Sequence, residues 1–313
     1  MKGLDLSQSY FEEYGKPMLE EQFAEFLPYL AAGLFGSGSD CFGFDDDISQ
    51  DHDFEPGFCI FLPGEDIISR RQEFLLERAY SRLPLEYHGF RRQKMLPVGG
   101  ARHGIFRISE YFRKTVGSED GNLSIEQWLA IPEEALAEAT NGRVFFDNLG
   151  EVNRIRESIS FYPEDIRLKR LAGCLLLMAQ SGQYNYLRCI RHGEPPAAQM
   201  AIFEFVKSTL SVIFLLNRIY QPYYKWVFRA MRDLPLLSET EESLYTLMTN
   251  GNGQDLVSLK TNQIEDISRA IIAVLREQKL TRAPDNELER HAYSVNDRIK
   301  DAALRNMHIL AAV

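Results

Sequence analysis

Cysteine is scarce in this chain. Cys41, Cys59, Cys174 and Cys189 are spread over 313 positions, with no Cys-x-x-Cys pair and no zinc-like spacing. That argues against a zinc ribbon or a disulfide framework and reads as reduced, buried thiols. Positive charge is short as well: 35 Lys and Arg face 45 Asp and Glu, a formal net charge of −10. Coating nucleic acid requires a surplus of cations to neutralise phosphate, so bulk DNA binding is not expected, although a local basic pocket for a nucleotide is compatible. No long uncharged apolar run occurs. The most apolar segment, Ile202 to Tyr220, contains Glu204, Lys207 and Arg218, and reads as a buried helix rather than a membrane span. The opening MKGLDLSQSYFEEYGKP carries acids and no apolar leader core, so the expected location is the cytoplasm.

Core-forming residues are plentiful. The chain is 45% hydrophobic and 12% aromatic, and its length suits two domains. Apolar positions at Met18, Phe23, Phe26, Leu27, Leu30 and Ala31 predict a helix over 17–32. A glycine-serine turn and an acid-rich loop follow. Phe58 to Leu62 reads as a strand closed by Pro63-Gly64, and Leu85–Phe90, Gly104–Ile108 and Val144–Phe146 read as further strands. Helices are expected at 66–82 and 124–140. Beyond residue 160 the pattern is helical throughout, at about 164–182, 195–220, 223–232, 239–249, 261–278 and 287–311. The expected class is therefore α+β: a mixed sheet with flanking helices over 1–158, followed by an all-α bundle over 159–313.

The chemistry concentrates between Gly36 and Phe61. Gly38-Ser39 is followed by eleven residues and then by Asp51-His52-Asp53-Phe54. In an extended segment, residues i and i+2 share a side, so Asp51 and Asp53 would present two carboxylates to one divalent cation. Mg²⁺ favours oxygen ligands and is commonly held by one or two carboxylates plus substrate phosphates. A Gly-Ser turn offers free N–H groups, a hydroxyl and close access to the main chain for a phosphate. Together these parts suit a metal–triphosphate complex poised for in-line attack at its α-phosphorus.

Competing motifs fail on particular residues. No Gly-Lys-Ser/Thr follows Gly36-Ser37-Gly38, and Cys41 stands where a dinucleotide fingerprint needs its third glycine. The Asp45–Asp47 loop lacks the turn glycine and closing glutamate of a calcium EF-hand; these acids read as loop or capping residues. His52-Asp53 has no earlier histidine in the chain to complete a phosphohydrolase metal site.

The Gly-Ser, spacer, Asp-x-Asp pattern resembles the signature of the polymerase-β-like nucleotidyltransferases. The wider run Gly38 to Asp53, with Tyr162-Pro163-Glu164-Asp165 and Tyr220-Gln221-Pro222-Tyr223-Tyr224-Lys225-Trp226, is similar to the branch known as domain of unknown function 4037. The resemblance implies a nucleotidyltransferase-type sheet and a helical acceptor-binding domain, in a plan similar to the kanamycin nucleotidyltransferases. It implies phosphate binding by Gly38 and Ser39 and metal binding by Asp51 and Asp53, with Mg²⁺ as cofactor and ATP or another nucleoside triphosphate as co-substrate. The family's third carboxylate lies on an adjacent strand, but the candidate strand here, Arg102 to Ile108, carries no acid; Glu110 just after it and Glu86 are the candidates.

In the helical half, Lys225 is a candidate triphosphate ligand and otherwise an ordinary packed corner with a solvated amine. Glu194, beside Arg188, Arg191 and His192, is a candidate general base and otherwise part of a charged loop. The acceptor is a hydroxyl compound of unspecified kind. A homodimer is compatible with the sequence, and no membrane partner is expected. An inactive nucleotide-binding module, or an enzyme modifying protein or tRNA, are the rival readings.

Overall fold

The computed structural model describes residues 1–48, 54–92 and 102–313. The Asp51-x-Asp53 pair therefore lies outside the described residues. The chain divides into two compact units, one of residues 1–124 and 131–160, the other of 125–130 and 161–313.

The first unit is mixed α+β. It opens with α1 (Gly3–Tyr10), a π-helical turn and α2 (Lys16–Gln22), then β1 (Ala31–Leu34), β2 (Cys59–Leu62) and α3 (Arg70–Ser81). A two-stranded ribbon follows, β3 (Glu86–Tyr87) with β4 (Phe90–Arg91), then β5 (Gly104–Arg107) and α4 (Ile108–Val116). After α5 (Ile125–Ala130), which packs with the second unit, come α6 (Glu133–Thr140), β6 (Arg143–Asp147) and α7 (Glu151–Ser158). The four-stranded sheet has the order β5-β2-β1-β6. β1 runs antiparallel to both neighbours, and β2 runs parallel to β5, with Cys59 opposite Gly104.

Alternation along β2 distributes side chains to the two faces, as the period of two requires. Phe58, Ile60 and Leu62 join Tyr10, Phe11 and Leu19 in the core under α1 to α3. Phe61 turns the other way, stacks on Phe35 at 4.8 Å between ring centroids and meets Tyr111 edge-on at 5.2 Å. Asp45 closes the first helix from a distance. Its Oδ2 accepts the Gly3 N–H at 2.9 Å, and Lys2 pairs with its other oxygen, which places this loop acid in the capping role expected of it.

The expected helix over 17–32 is corrected. It ends at Gln22; Phe23 leaves helical geometry, Leu27–Tyr29 forms a single 3-10 turn containing Pro28, and the chain is extended from Ala31. Proline lacks the N–H and blocks a continuing helix. Ala31 to Leu34 are then buried between β2 and β6, and Gly33 lets the Arg143 carbonyl approach so closely that a β-carbon there would lie 2.5 Å from it. The expected helix over 124–140 is two helices, broken at Pro132. Leu85 to Phe90 is a hairpin of two-residue strands rather than one strand. Helices α1, α4 and α7 were not expected.

The second unit is helical: α8 (Glu164–Met178) continues through a π-helical stretch into α9 (Leu187–Arg191), followed by α10 (Pro195–Asn217), α11 (Val227–Met231), α12 (Glu241–Thr249), α13 (Val257–Glu277), α14 (Leu288–Asn296) and α15 (Ala302–Asn306). The segment expected as one helix over 287–311 thus contains two short ones. Among the described residues α10 alone is long and apolar enough to cross a bilayer, and 67% of its most apolar window is buried inside the unit. Lys169 of α8 is fully buried, with its ammonium on the Met307 carbonyl at 2.7 Å and Asn296 Oδ1 at 3.0 Å.

Candidate functional site

β1 ends at Leu34 and the chain enters Phe35-Gly36-Ser37-Gly38-Ser39. Gly36 and Gly38 hold φ of 124° and 122°, a region that glycine enters without the steric cost other residues meet. The turn is fixed from outside. The Asn141 side chain accepts the Gly36 N–H at 2.9 Å and donates to the Gly36 carbonyl at 2.9 Å. Asn141 is the C-cap that follows α6, and the next N–H, that of Gly142, binds the Cys41 carbonyl at 2.9 Å. Arg156 of α7 donates to the Thr140 and Asn141 carbonyls and lies over the Phe35 ring at 4.4 Å. Burial lowers its pKa, so the turn rests on a cation only partly solvated.

The two Gly-Ser pairs have different surroundings. Gly36 and Ser37 line a cavity of about 500 Å³, together with Phe106, Tyr111, Arg102 and Glu138, a size within the range of small-molecule sites. Gly38 faces an ion pair instead: Arg102 donates to Asp40 at 2.6 Å, and a β-carbon on Gly38 would lie 2.3 Å from the guanidinium. Asp40 also accepts the Cys41 N–H at 2.9 Å. Ser39 contributes its carbonyl to the Phe44 N–H at 2.8 Å. The sequence pointed to Gly38 and Ser39; the pair opening on the cavity is Gly36 and Ser37. Its signal is position, immediately beyond a strand end, and that strand spans the last residues of the expected helix and the first of the expected turn.

Cys41 and Cys59 flank Arg102, with the Cys59 thiol 3.1 Å from the Arg102 carbonyl. Burial pushes the Cys59 thiol up to about 12 and the Cys41 thiol higher. Both stay protonated and unreactive at neutral pH. None of the four cysteines is in a disulfide.

Neither third-acid candidate lies on a strand of the four-stranded sheet. Glu86 is exposed on the separate β3–β4 ribbon. Glu110 lines the cavity from the first turn of α4 but is taken by Arg70 at 2.5 Å. At the head of β5 the adjacent residue is His103, whose Nδ1 lies 3.2 Å from Glu55 and whose ring packs over Gly57. Among the described residues no group of three His, Cys, Asp or Glu side chains is arranged to hold a metal ion, and Asp40 and Asp45 are already committed to Arg102 and to the start of α1. The described residues alone do not make a metal site.

Glu194 and Lys225 belong to the second unit and both are exposed. Glu194 stands at the N-cap of α10. The Lys225 ammonium lies 4.3 Å from the Trp226 ring centroid, a cation–π contact. Tyr220 is the buried aromatic of that segment, packed between Phe161 at 5.2 Å and Tyr162 at 5.0 Å.

The fold is thus a mixed α+β unit followed in sequence by a helical unit. Residues 128–227 match the model of the family described as Domain of unknown function (DUF4037). The resemblance read from the sequence is shown over that stretch, which includes Tyr162–Asp165 and Tyr220–Trp226 but neither the Gly-Ser turn nor the Asp pair. Among solved structures, a nucleotidyltransferase-like protein from Exiguobacterium sibiricum 255-15 is similar, at 11% identity over 92% of this chain and 90% of its own, with a TM-score of 0.38. No curated protein matches the chain.

Proposed function

We propose that the protein is a metal-dependent nucleotidyltransferase that moves a nucleoside monophosphate, AMP by preference, from a nucleoside triphosphate to an acceptor hydroxyl and releases pyrophosphate. One observation carries this reading: a buried strand, β1, runs directly into a rigid, positive-φ Gly-Ser-Gly-Ser turn that opens on a cavity, and the Asp51-x-Asp53 segment then leads into the neighbouring antiparallel strand β2. The hydroxyls of such a turn, and the N–H groups that follow the clamped Gly36, suit phosphate oxygens. Asp51 and Asp53 are the residues that would hold Mg²⁺, which when bound supplies charge to the phosphates. Arg102 stands at the cavity wall to offset anionic charge.

Replacement of Asp51 and Asp53 by Asn tests the reading. Loss of Mg·ATP binding and of label transfer from α-phosphate-labelled ATP is expected; unchanged binding and transfer sink it. A nucleotide-binding module without turnover is the second reading, favoured by the absence of an acid from β5. Mg·ATP binding with no pyrophosphate release across a broad acceptor panel identifies it. Label appearing on protein or tRNA instead of a small hydroxyl compound identifies a macromolecular acceptor.

A further inference from the structure

Among the described residues, Glu138 is the acid lining this cavity that has no hydrogen bond or ion pair. It projects from α6 into the same cavity as Gly36 and Ser37. Glu110 and Glu73 line that cavity too, but Glu110 is held by Arg70 and Glu73 by Arg107 at 2.8 Å. The Glu138 carboxylate makes no hydrogen bond or ion pair among the described residues. Its position relative to the turn is fixed. Glu138 lies in the last turn of α6, three residues before Asn141, which caps that helix, and the Asn141 amide is the group that grips Gly36 through both backbone bonds. The distance between this carboxylate and the turn is therefore set by one helical turn and two hydrogen bonds, not by a flexible loop.

We infer that Glu138 is a catalytic residue, the base that takes the proton from the acceptor hydroxyl in this cavity. The inference rests on the nucleotidyl-transfer reading above and replaces the strand-borne acid that β5 lacks with one from a helix. In the step, the acceptor O–H bond breaks and its proton passes to a Glu138 carboxylate oxygen. The acceptor oxygen forms a bond to the α-phosphorus, and the bond from that phosphorus to the α,β-bridging oxygen breaks. Pyrophosphate leaves with that electron pair. The electrostatic setting suits the role. Burial and the neighbouring Glu134 raise the carboxyl pKa, and Arg102 partly opposes them, so the group is drawn toward the range in which a general base is effective. The other titratable groups facing the cavity are Tyr111, Lys114 and Glu110 of α4 and the Arg107–Glu73 pair.

The test uses the full-length chain, Mg·ATP as donor, and water and glycerol as hydroxyl acceptors. Pyrophosphate release is followed across pH, alongside binding of Mg·α,β-methylene-ATP. Glu138→Gln should keep analogue binding within about threefold while release falls on the order of 10²- to 10⁴-fold and loses its acid limb. Glu138→Ala should recover release when formate is added, which a structural role would not produce. Wild-type release in Glu138→Gln with an unaltered pH profile overturns the inference, and so does loss of analogue binding in that variant. A wild type that binds the analogue but releases no pyrophosphate removes the base and leaves the nucleotide site standing. A wild type that does neither removes the nucleotidyl-transfer reading and this inference with it.

Discussion

The side chain of Asn141 satisfies both backbone groups of Gly36, accepting from its N–H and donating to its carbonyl at 2.9 Å each. A planar amide is the side chain that offers a donor and an acceptor side by side. Asn141→Ala leaves both Gly36 groups without their partner, at about 1–2 kcal/mol. Asn141→Asp keeps the acceptor but sets a carboxylate against the Gly36 carbonyl. Both variants should melt earlier than wild type in thermal denaturation, and both should bind Mg·ATP more weakly. Unchanged nucleotide affinity in both would show that the turn's geometry does not matter for binding.

Gly38→Ala should be the harsher change. A β-carbon there meets the Arg102 guanidinium at 2.3 Å and the Asp40 carboxylate at 2.5 Å, and the backbone sits at a φ of 122°. Strain and the broken ion pair together should cost on the order of 2 kcal/mol or more. Gly43→Ala is the comparison: it also has positive φ but nothing within 4 Å of the added carbon. Urea melts should separate the two, with Gly38→Ala the less stable.

Glu138→Gln should stabilise the fold while slowing the reaction. The raised pKa means that the folded environment disfavours the charged carboxylate. The native state therefore holds its proton more tightly than the unfolded chain does, and wild type gains stability as pH falls through the folded pKa toward the unfolded one. The advantage of the variant is then present above the folded pKa and disappears below the ordinary carboxylate range. Melting curves at pH 4 and pH 7 check the sign; a variant less stable than wild type at pH 7 contradicts it.

Lys169 titrates in the opposite sense. Burial lowers its pKa, and its contacts are two carbonyls and an amide oxygen rather than a carboxylate. The unfolded chain holds the proton more tightly, so wild type gains stability as pH rises through the lowered pKa toward the ordinary lysine value. Lys169→Met removes that gain and orphans buried acceptors, at about 1–3 kcal/mol near neutrality. Denaturant melts at pH 7 and pH 10 should show the wild-type increment and its loss in the variant.

Much of this architecture was legible from patterning. β2 and β6 announce themselves as short apolar runs with turn residues behind them, β5 as a short run that passes straight into a helix, and the switch to helical periodicity near residue 160 marks the change of character. β1 was not legible. Ala31-Ala32-Gly33-Leu34 contains no β-branched or aromatic residue, continues the apolar spacing of the preceding helix, and is a strand because β2 and β6 cover it from both sides. The strand bears on the site, since the place of Gly36-Ser37 on the cavity becomes visible only when Leu34 is known to end a strand. Glu138 was hidden for another reason. In sequence it is one acid on an ordinary amphipathic helix, and its place beside the turn depends on a contact between residues 105 positions apart.

That separation also dictates an order of events during synthesis. β6 pairs with β1 and brings Asn141 and Gly142 to the strand's exit, so no shorter nascent fragment has the clamp. Until about residue 147 has left the ribosome, β1 is an unguarded edge, open to pairing with another chain. Growth conditions that stall translation in this window should therefore favour aggregation of the truncated product, whereas a pause after β6 should not.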